Sequence, residues 1–121
     1  MEHAELTEKI IGTFYDVYNE LGYGFLESVY KKSMLIALKK VGLQSEAEWP
    51  IKVYFEGEMV GEFRADIVVE NKIILELKSA KTIDDTHVAQ TLNYLKATDI
   101  NVGLFLNFGP KPEFKRLFFD R

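Results

Sequence analysis

Residues 61–78 read Gly61-Glu62-Phe63-Arg64-Ala65-Asp66-Ile67-Val68-Val69, then Glu70-Asn71-Lys72, then Ile73-Ile74-Leu75-Glu76-Leu77-Lys78. Two apolar runs flank a short polar break, the pattern of a β-hairpin. Side chains alternate along a strand, so Glu76 and Lys78 share a face. With a three-residue loop, Val69 faces Ile73. Counting back then sets Asp66 opposite Glu76 and Arg64 opposite Lys78. A two-residue turn would instead set Asp66 opposite Leu77. In the first register two carboxylates are cross-paired at about 5 Å between Cβ atoms and repel each other. A divalent cation with oxygen ligands removes that repulsion. Lys78 is then placed to act on a water or a phosphate at the metal. The same charged residues also suit the solvated face of an edge hairpin, and a loosely spaced D…ExK pattern does not by itself decide between the two.

Outward from the hairpin, the chain alternates helical and extended patterns. Leu6, Ile10, Ile11, Phe14, Val17, Tyr18 and Leu21 form one helical face over residues 5–21. Thr7 or the residues just before it are candidate caps, and Leu21-Gly22-Tyr23-Gly24 supplies the stop. A second helix is predicted over Leu26–Val41, ending at Gly42. Ile51, Val53 and Phe55 alternate within a strand over 48–56, with Pro50 at its start or on an exposed edge. Glu56-Gly57-Glu58 turns the chain into a strand over 59–69, and the strand over 73–79 follows. Asp84 or Asp85 caps a helix reaching about Ala97. Residues 101–108 are near-continuously apolar, as in a strand buried on both faces. Residues 113–119 add a last edge strand. The order αα-βββ-α-β(β) predicts an α/β three-layer sandwich around a mixed central sheet, with a crossover through the third helix.

The 121 residues suit one domain, 1–121, and 47% apolar with 28% charged residues suit a buried core. No apolar run is long enough to span a membrane. The acidic start Met1-Glu2-His3-Ala4-Glu5 does not resemble a signal peptide. Cysteine is absent, which removes disulfides, thiol nucleophiles and thiolate-held zinc, and fits a cytoplasmic location. The net charge of −4 runs against avid, non-specific binding of nucleic acid. Grouped lysines soften that objection: Lys31/Lys32, Lys39/Lys40, Lys78/Lys81 and Lys111/Lys115/Arg116. Such groups also suit solvated faces. No nucleophile elbow, phosphate-binding glycine loop or dinucleotide fingerprint is present.

Two further stretches stand out. In Gly24-Phe25-Leu26-Glu27-Ser28-Val29-Tyr30, Glu27 and Tyr30 share a helical face. A glutamate there also favours the helix dipole, and Tyr30 also suits an amphipathic core position. In His87-Val88-Ala89-Gln90-Thr91-Leu92-Asn93-Tyr94, the side chains of His87, Gln90 and Tyr94 fall on one face, as on a helix bordering a polar cleft. A lone histidine equally suits a surface or capping position.

Taken together, these segments resemble the GxxExxY proteins of the PD-(D/E)XK nuclease-like superfamily. The resemblance runs from Glu5-Leu6-Thr7 through Leu21 to Glu27, Arg64-Ala65-Asp66, Glu76-Leu77-Lys78, His87-x-x-Gln90-x-x-x-Tyr94-Leu95-Lys96 and Val102-Gly103-Leu104 to Asn107-Phe108-Gly109. Two departures stand in it. Ala65 replaces the proline of the superfamily's name, and Tyr18 follows Val17 where relatives often carry histidine. The resemblance implies an αβββαβ restriction-endonuclease-like core. It also implies that Asp66, Glu76 and the Leu77 carbonyl hold Mg²⁺ or Mn²⁺, with Glu27 as a further ligand, directly or through water. Lys78 would orient the water or stabilise the phosphate. Gln90 and Tyr94 would border the site, with Tyr30, Arg64 and His87 as further lining residues. The implied activity is metal-dependent hydrolysis of nucleic acid, DNA foremost, by a chain that gains surface as a homodimer. The rival expectation is a non-catalytic module that binds nucleic acid or protein in the same cleft.

Overall fold

In the computed structural model, which describes residues 2–121, the polypeptide forms three helices and five strands. Their order is α1 (Ala4–Leu21), α2 (Glu27–Lys40), β1 (Ser45–Phe55), β2 (Glu58–Val69), β3 (Ile73–Lys78), α3 (Asp85–Lys96), β4 (Val102–Phe108) and β5 (Pro112–Phe118). The strands lie side by side in sequence order in one sheet. β3 and β4 run parallel and every other neighbouring pair is antiparallel. The sheet is therefore mixed, as the strand–helix–strand pattern predicts.

The three layers follow from which faces are apolar. Ile10, Phe14 and Val17 of α1 and Met34 and Leu38 of α2 pack with Ile67, Ile73, Leu75 and Phe108 on one face of the sheet. Tyr94 and Leu95 of α3 pack with Ala65, Val68 and Ile74 on the other. Every residue of β4 is buried, because helices cover it on both sides. Pro50 lies in β1, an edge strand, where a proline without an N–H is tolerated.

Element ends show what sequence patterning misses. α1 stops at Gly22, whose φ of 71° suits glycine and whose N–H donates to Tyr18 O at 2.7 Å. Thr7 does not cap α1. It lies inside the helix and donates its hydroxyl to His3 O at 2.7 Å, and His3 holds the N-cap position. At α3, Asp84 is the cap, accepting from Thr86 N at 2.7 Å. β1 begins at Ser45, earlier than the apolar alternation predicts. Its first residues pair with the end of β2 (Ser45↔Val69, Glu46↔Val68, Ala47↔Ile67), so backbone pairing extends the strand without an apolar pattern.

The β2–β3 connection has the three-residue loop. Glu70 and Asn71 both take left-handed φ values (54° and 57°), and Lys72 N donates to Val69 O at 2.9 Å. Val69 faces Ile73, Val68 faces Ile74 and Ile67 faces Leu75, and there the ladder ends. Beyond Ile67, β2 continues only against β1, as a two-stranded arm. The candidate residues Asp66, Glu76 and Lys78 lie at this fork.

Candidate functional site

Asp66 and Glu76 are the next residues back along the same register, and they are joined by side chains instead of backbone. Glu76 Oε2 accepts from Asp66 N at 2.7 Å, and Asp66 Oδ2 accepts from Leu77 N at 2.8 Å. Each carboxylate thus takes a backbone N–H of the opposite strand. This reciprocal clasp substitutes for the ladder and lets the strands part. Because the N–H and C=O of a strand residue point to the same neighbour, the Leu77 carbonyl turns toward the gap at the fork.

β2 also changes face here. Ala65 belongs to the α3-side cluster, as does Val68, whereas Ile67 and Val69 belong to the α1/α2 side. Strict alternation would group Ala65 with Ile67, so the strand slips by one face at Asp66. The facing strand is irregular at the same level. The register pairs Ala47 with Ile67 and Trp49 with Ala65, and Glu48 between them takes a φ of 55°. Arg64 Nη1 donates to the Glu48 carbonyl at 3.3 Å, and the Glu48 carboxylate pairs with Lys31 of α2. The expected Arg64–Lys78 pairing is therefore not formed, because the ladder stops before it and Arg64 turns to β1.

Glu76 is only 8% exposed. Burial, reinforced by the adjacent Asp66 carboxylate, pushes its pKa from 4.5 to about 8. Near neutral pH Glu76 therefore tends to keep its proton beside Asp66. Lys78, next on the same face of β3, acts weakly in the opposite sense on Glu76 and is half-buried. Its Nζ lies 3.9 Å from Glu27 Oε1 at the first turn of α2. Among the described residues, no three histidine, aspartate or glutamate side chains converge as a ready cage. The structure joins Asp66 to Glu76 and pairs Glu27 with Lys78.

Of the α3 residues, Gln90 and Tyr94 are joined to each other and His87 packs on the sheet. Gln90 Nε2 donates to Tyr94 Oη at 2.8 Å. Burial raises the Tyr94 pKa first, and the charges of Glu76 and Asp66 raise it further, which places its hydroxyl within their field. The His87 ring stacks on Phe105, which pairs with Glu76 across β3–β4. Its Nδ1 is buried without a hydrogen-bond partner among the described residues.

Tyr30 does not line the cleft. It is 0% exposed, stacked on Phe108, and its hydroxyl donates to Gly22 O at 2.6 Å and accepts from Phe25 N at 3.2 Å. It ties down the loop that leads into Glu27. On the other side of Lys78, Asn107 clamps the chain by accepting from Ala80 N and donating to Ala80 O, both at 3.0 Å. Gly109 is needed there, since a Cβ would lie 2.5 Å from Ala80 O. Sequence reasoning missed Asn107 as a positioning residue. The signal was present, an asparagine inside an otherwise apolar buried strand. Glu48 and Lys31 had no comparable signal.

Comparisons with known proteins follow the same lines. A family model described as the PD-(D/E)XK nuclease superfamily matches residues 4–117. The crystal structure of SSO0001 is similar in fold, with a TM-score of 0.62 and 18% sequence identity. The match covers 98% of this chain and 60% of SSO0001, so the chain spans less than two thirds of that protein. None of the curated proteins is detectably similar.

Proposed function

The chain belongs to the PD-(D/E)XK nuclease superfamily, and on that premise we propose that it hydrolyses phosphodiester bonds in nucleic acid, with Mg²⁺ or Mn²⁺ held by Asp66 and Glu76. The Gly24-x-x-Glu27-x-x-Tyr30 segment supports the narrower GxxExxY assignment. The observation that carries the reading is the clasp at the fork. Two carboxylates are locked together by opposite-strand N–H groups, one of them buried and held protonated up to about pH 8. As a structural feature alone this arrangement costs stability. As a cation site it has a purpose, because hard divalent cations select carboxylate and carbonyl oxygens. Superfamily members generally use divalent metals.

The Leu77 carbonyl is the natural third donor. When bound, the cation supplies Lewis acidity toward the phosphate and lowers the pKa of a nearby water. The remaining work belongs to the protein. Lys78 offers a positive charge where negative charge builds on the phosphate. Glu27 restrains Lys78 from the α2 side and adds an outer carboxylate. Gln90 and Tyr94 present hydrogen-bonding groups toward the substrate from α3, and Arg64 and His87 flank the site. DNA as substrate, a homodimeric assembly and a cytoplasmic location complete the proposal.

The test is cleavage of labelled single- and double-stranded DNA and RNA with Mn²⁺ or Mg²⁺, beside Glu76→Gln. Cleavage in the intact protein that falls by about a thousandfold or more in the variant is expected if the cation and its ligands supply most of the rate. Binding of nucleic acid with no cleavage in either cation would replace catalysis with a binding role for the same cleft.

A further inference from the structure

A groove of about 760 Å³ runs between the β1–β2 arm and α3, within the range of sites that seat organic ligands. Phe63 and Tyr54 line it from the arm, Gln90 and Tyr94 from the helix, and Lys52 and Lys96 stand among its walls. Its lining is mainly apolar, and Tyr94 is the wall residue that relates it to the carboxylate pair. Phe63 lies three residues before Asp66 and meets the Tyr94 ring at 5.9 Å, and Tyr94 feels the charges of Glu76 and Asp66.

Two features indicate that the aromatic rings are there to be used. Phe63 is 45% and Tyr54 59% exposed, so both rings keep much of their surface open. Phe63 also lies across Gly61, where a Cβ would come within 3.0 Å of the ring. A glycine in the strand makes room for the ring.

We propose that this groove seats unpaired bases of a single-stranded nucleic acid, stacked on Phe63 and Tyr54, with Lys52 and Lys96 taking flanking phosphates. The proposal rests on the nuclease reading in placing the groove beside the reacting phosphate. Charge favours a single strand over a duplex. Duplex affinity comes largely from neutralising many phosphates, and this chain carries a net charge of −4 with two lysines in the groove. Stacking needs no such excess, because every base has a π-face and contributes independently of charge.

The test is fluorescence anisotropy without divalent metal, using labelled oligothymidylate, oligouridylate and a duplex of equal length. Either single strand should bind at least about tenfold tighter than the duplex, and each ring removed in Phe63→Ala and Tyr54→Ala should weaken it by about tenfold. Because both rings are exposed, these variants keep the fold. Lys96→Glu should weaken binding and flatten its salt dependence. Equal or tighter duplex binding, or unchanged binding in the double ring variant, would overturn the proposal. Mn²⁺ calorimetry on the same proteins separates the two readings. Ring-dependent strand binding without Mn²⁺ binding would retain the groove and remove the metal-dependent chemistry. Mn²⁺ binding and cleavage with ring-independent affinity would do the reverse.

Discussion

The two ends of the β2–β3 hairpin use the same register for different purposes. At the turn, Val69, Val68 and Ile67 face Ile73, Ile74 and Leu75, all buried, with a backbone ladder between them. At the fork, Asp66 and Glu76 continue the register but exchange side-chain bonds for ladder bonds, and β2 departs. One end lowers the energy of the fold. The other holds two acidic groups where neither burial nor charge favours them, a local conflict of the kind found at functional sites.

Replacing Leu75 by alanine should produce the largest effect. Leu75 of β3 is fully buried in the cluster that α1 and α2 form on one face of the sheet, and its truncation should cost about 2–5 kcal/mol. Urea denaturation reads this directly. A cost below ~1 kcal/mol would mean that the turn end is not the anchored half, and the contrast would fail.

The next effect is the pH dependence that the fork imposes. In the folded protein Glu76 keeps its proton up to about pH 8, against 4.5 for an ordinary glutamate. Between those values the folded state binds the extra proton, so raising the pH favours unfolding. The contribution is fully present below the unfolded value and lost as the pH rises through about 8, with a slope of at most about 1.4 kcal/mol per unit. Glu76→Gln should flatten this slope. Excess Mn²⁺ should restore stability in the wild type at mildly alkaline pH. Calorimetry near neutral pH in buffers of different ionisation enthalpy should detect a proton released on Mn²⁺ binding. A wild type whose stability rises across this window would show that Glu76 is not held protonated.

Much of this contrast was legible in the residues. With Glu70-Asn71-Lys72 as the loop the register sets Asp66 opposite Glu76, whereas a two-residue turn sets it opposite Leu77. The residues left both open, and the chain takes the three-residue loop. Helix and strand order followed from apolar spacing. Register counting failed where side chains replace the ladder, so Arg64 was placed opposite Lys78 although β2 had already left β3. Helical-face reasoning could not separate Tyr30 in the core from a Tyr30 in the cleft, since both need an amphipathic face. The left-handed backbone at Glu48 has no marker, because only tertiary pairing imposes it. The arm and its groove depend on where β3 stops, which periodicity does not encode.

Gly109→Ala is a smaller perturbation with a longer reach. The added methyl would meet Ala80 O and the Asn107 side chain, which together hold the chain just beyond Lys78. An overpacking cost of about 1–3 kcal/mol is expected. Activity should fall further than stability explains, because Lys78 would shift. Activity that tracks the folded fraction alone would show that the clamp is purely structural.

Lys78→Ala should have the smallest effect on stability. Its ion pair with Glu27 spans 3.9 Å between side chains that are 32% and 49% exposed, so its removal should cost no more than about 0.5 kcal/mol. Catalysis should respond differently. If Lys78 faces the phosphate as negative charge develops, its loss should lower kcat by about 10²–10³-fold, the scale of one removed electrostatic partner. KM should change little, because the interaction matters most in the transition state. Glu27→Gln separates the alternatives. As a restraint on Lys78 it should show a milder version of the same kcat loss with metal affinity nearly unchanged, whereas a direct ligand would lose metal affinity. A Lys78→Ala protein that is several kcal/mol less stable would make Lys78 part of the scaffold, and the fork would then be a structural joint with no separate catalytic end.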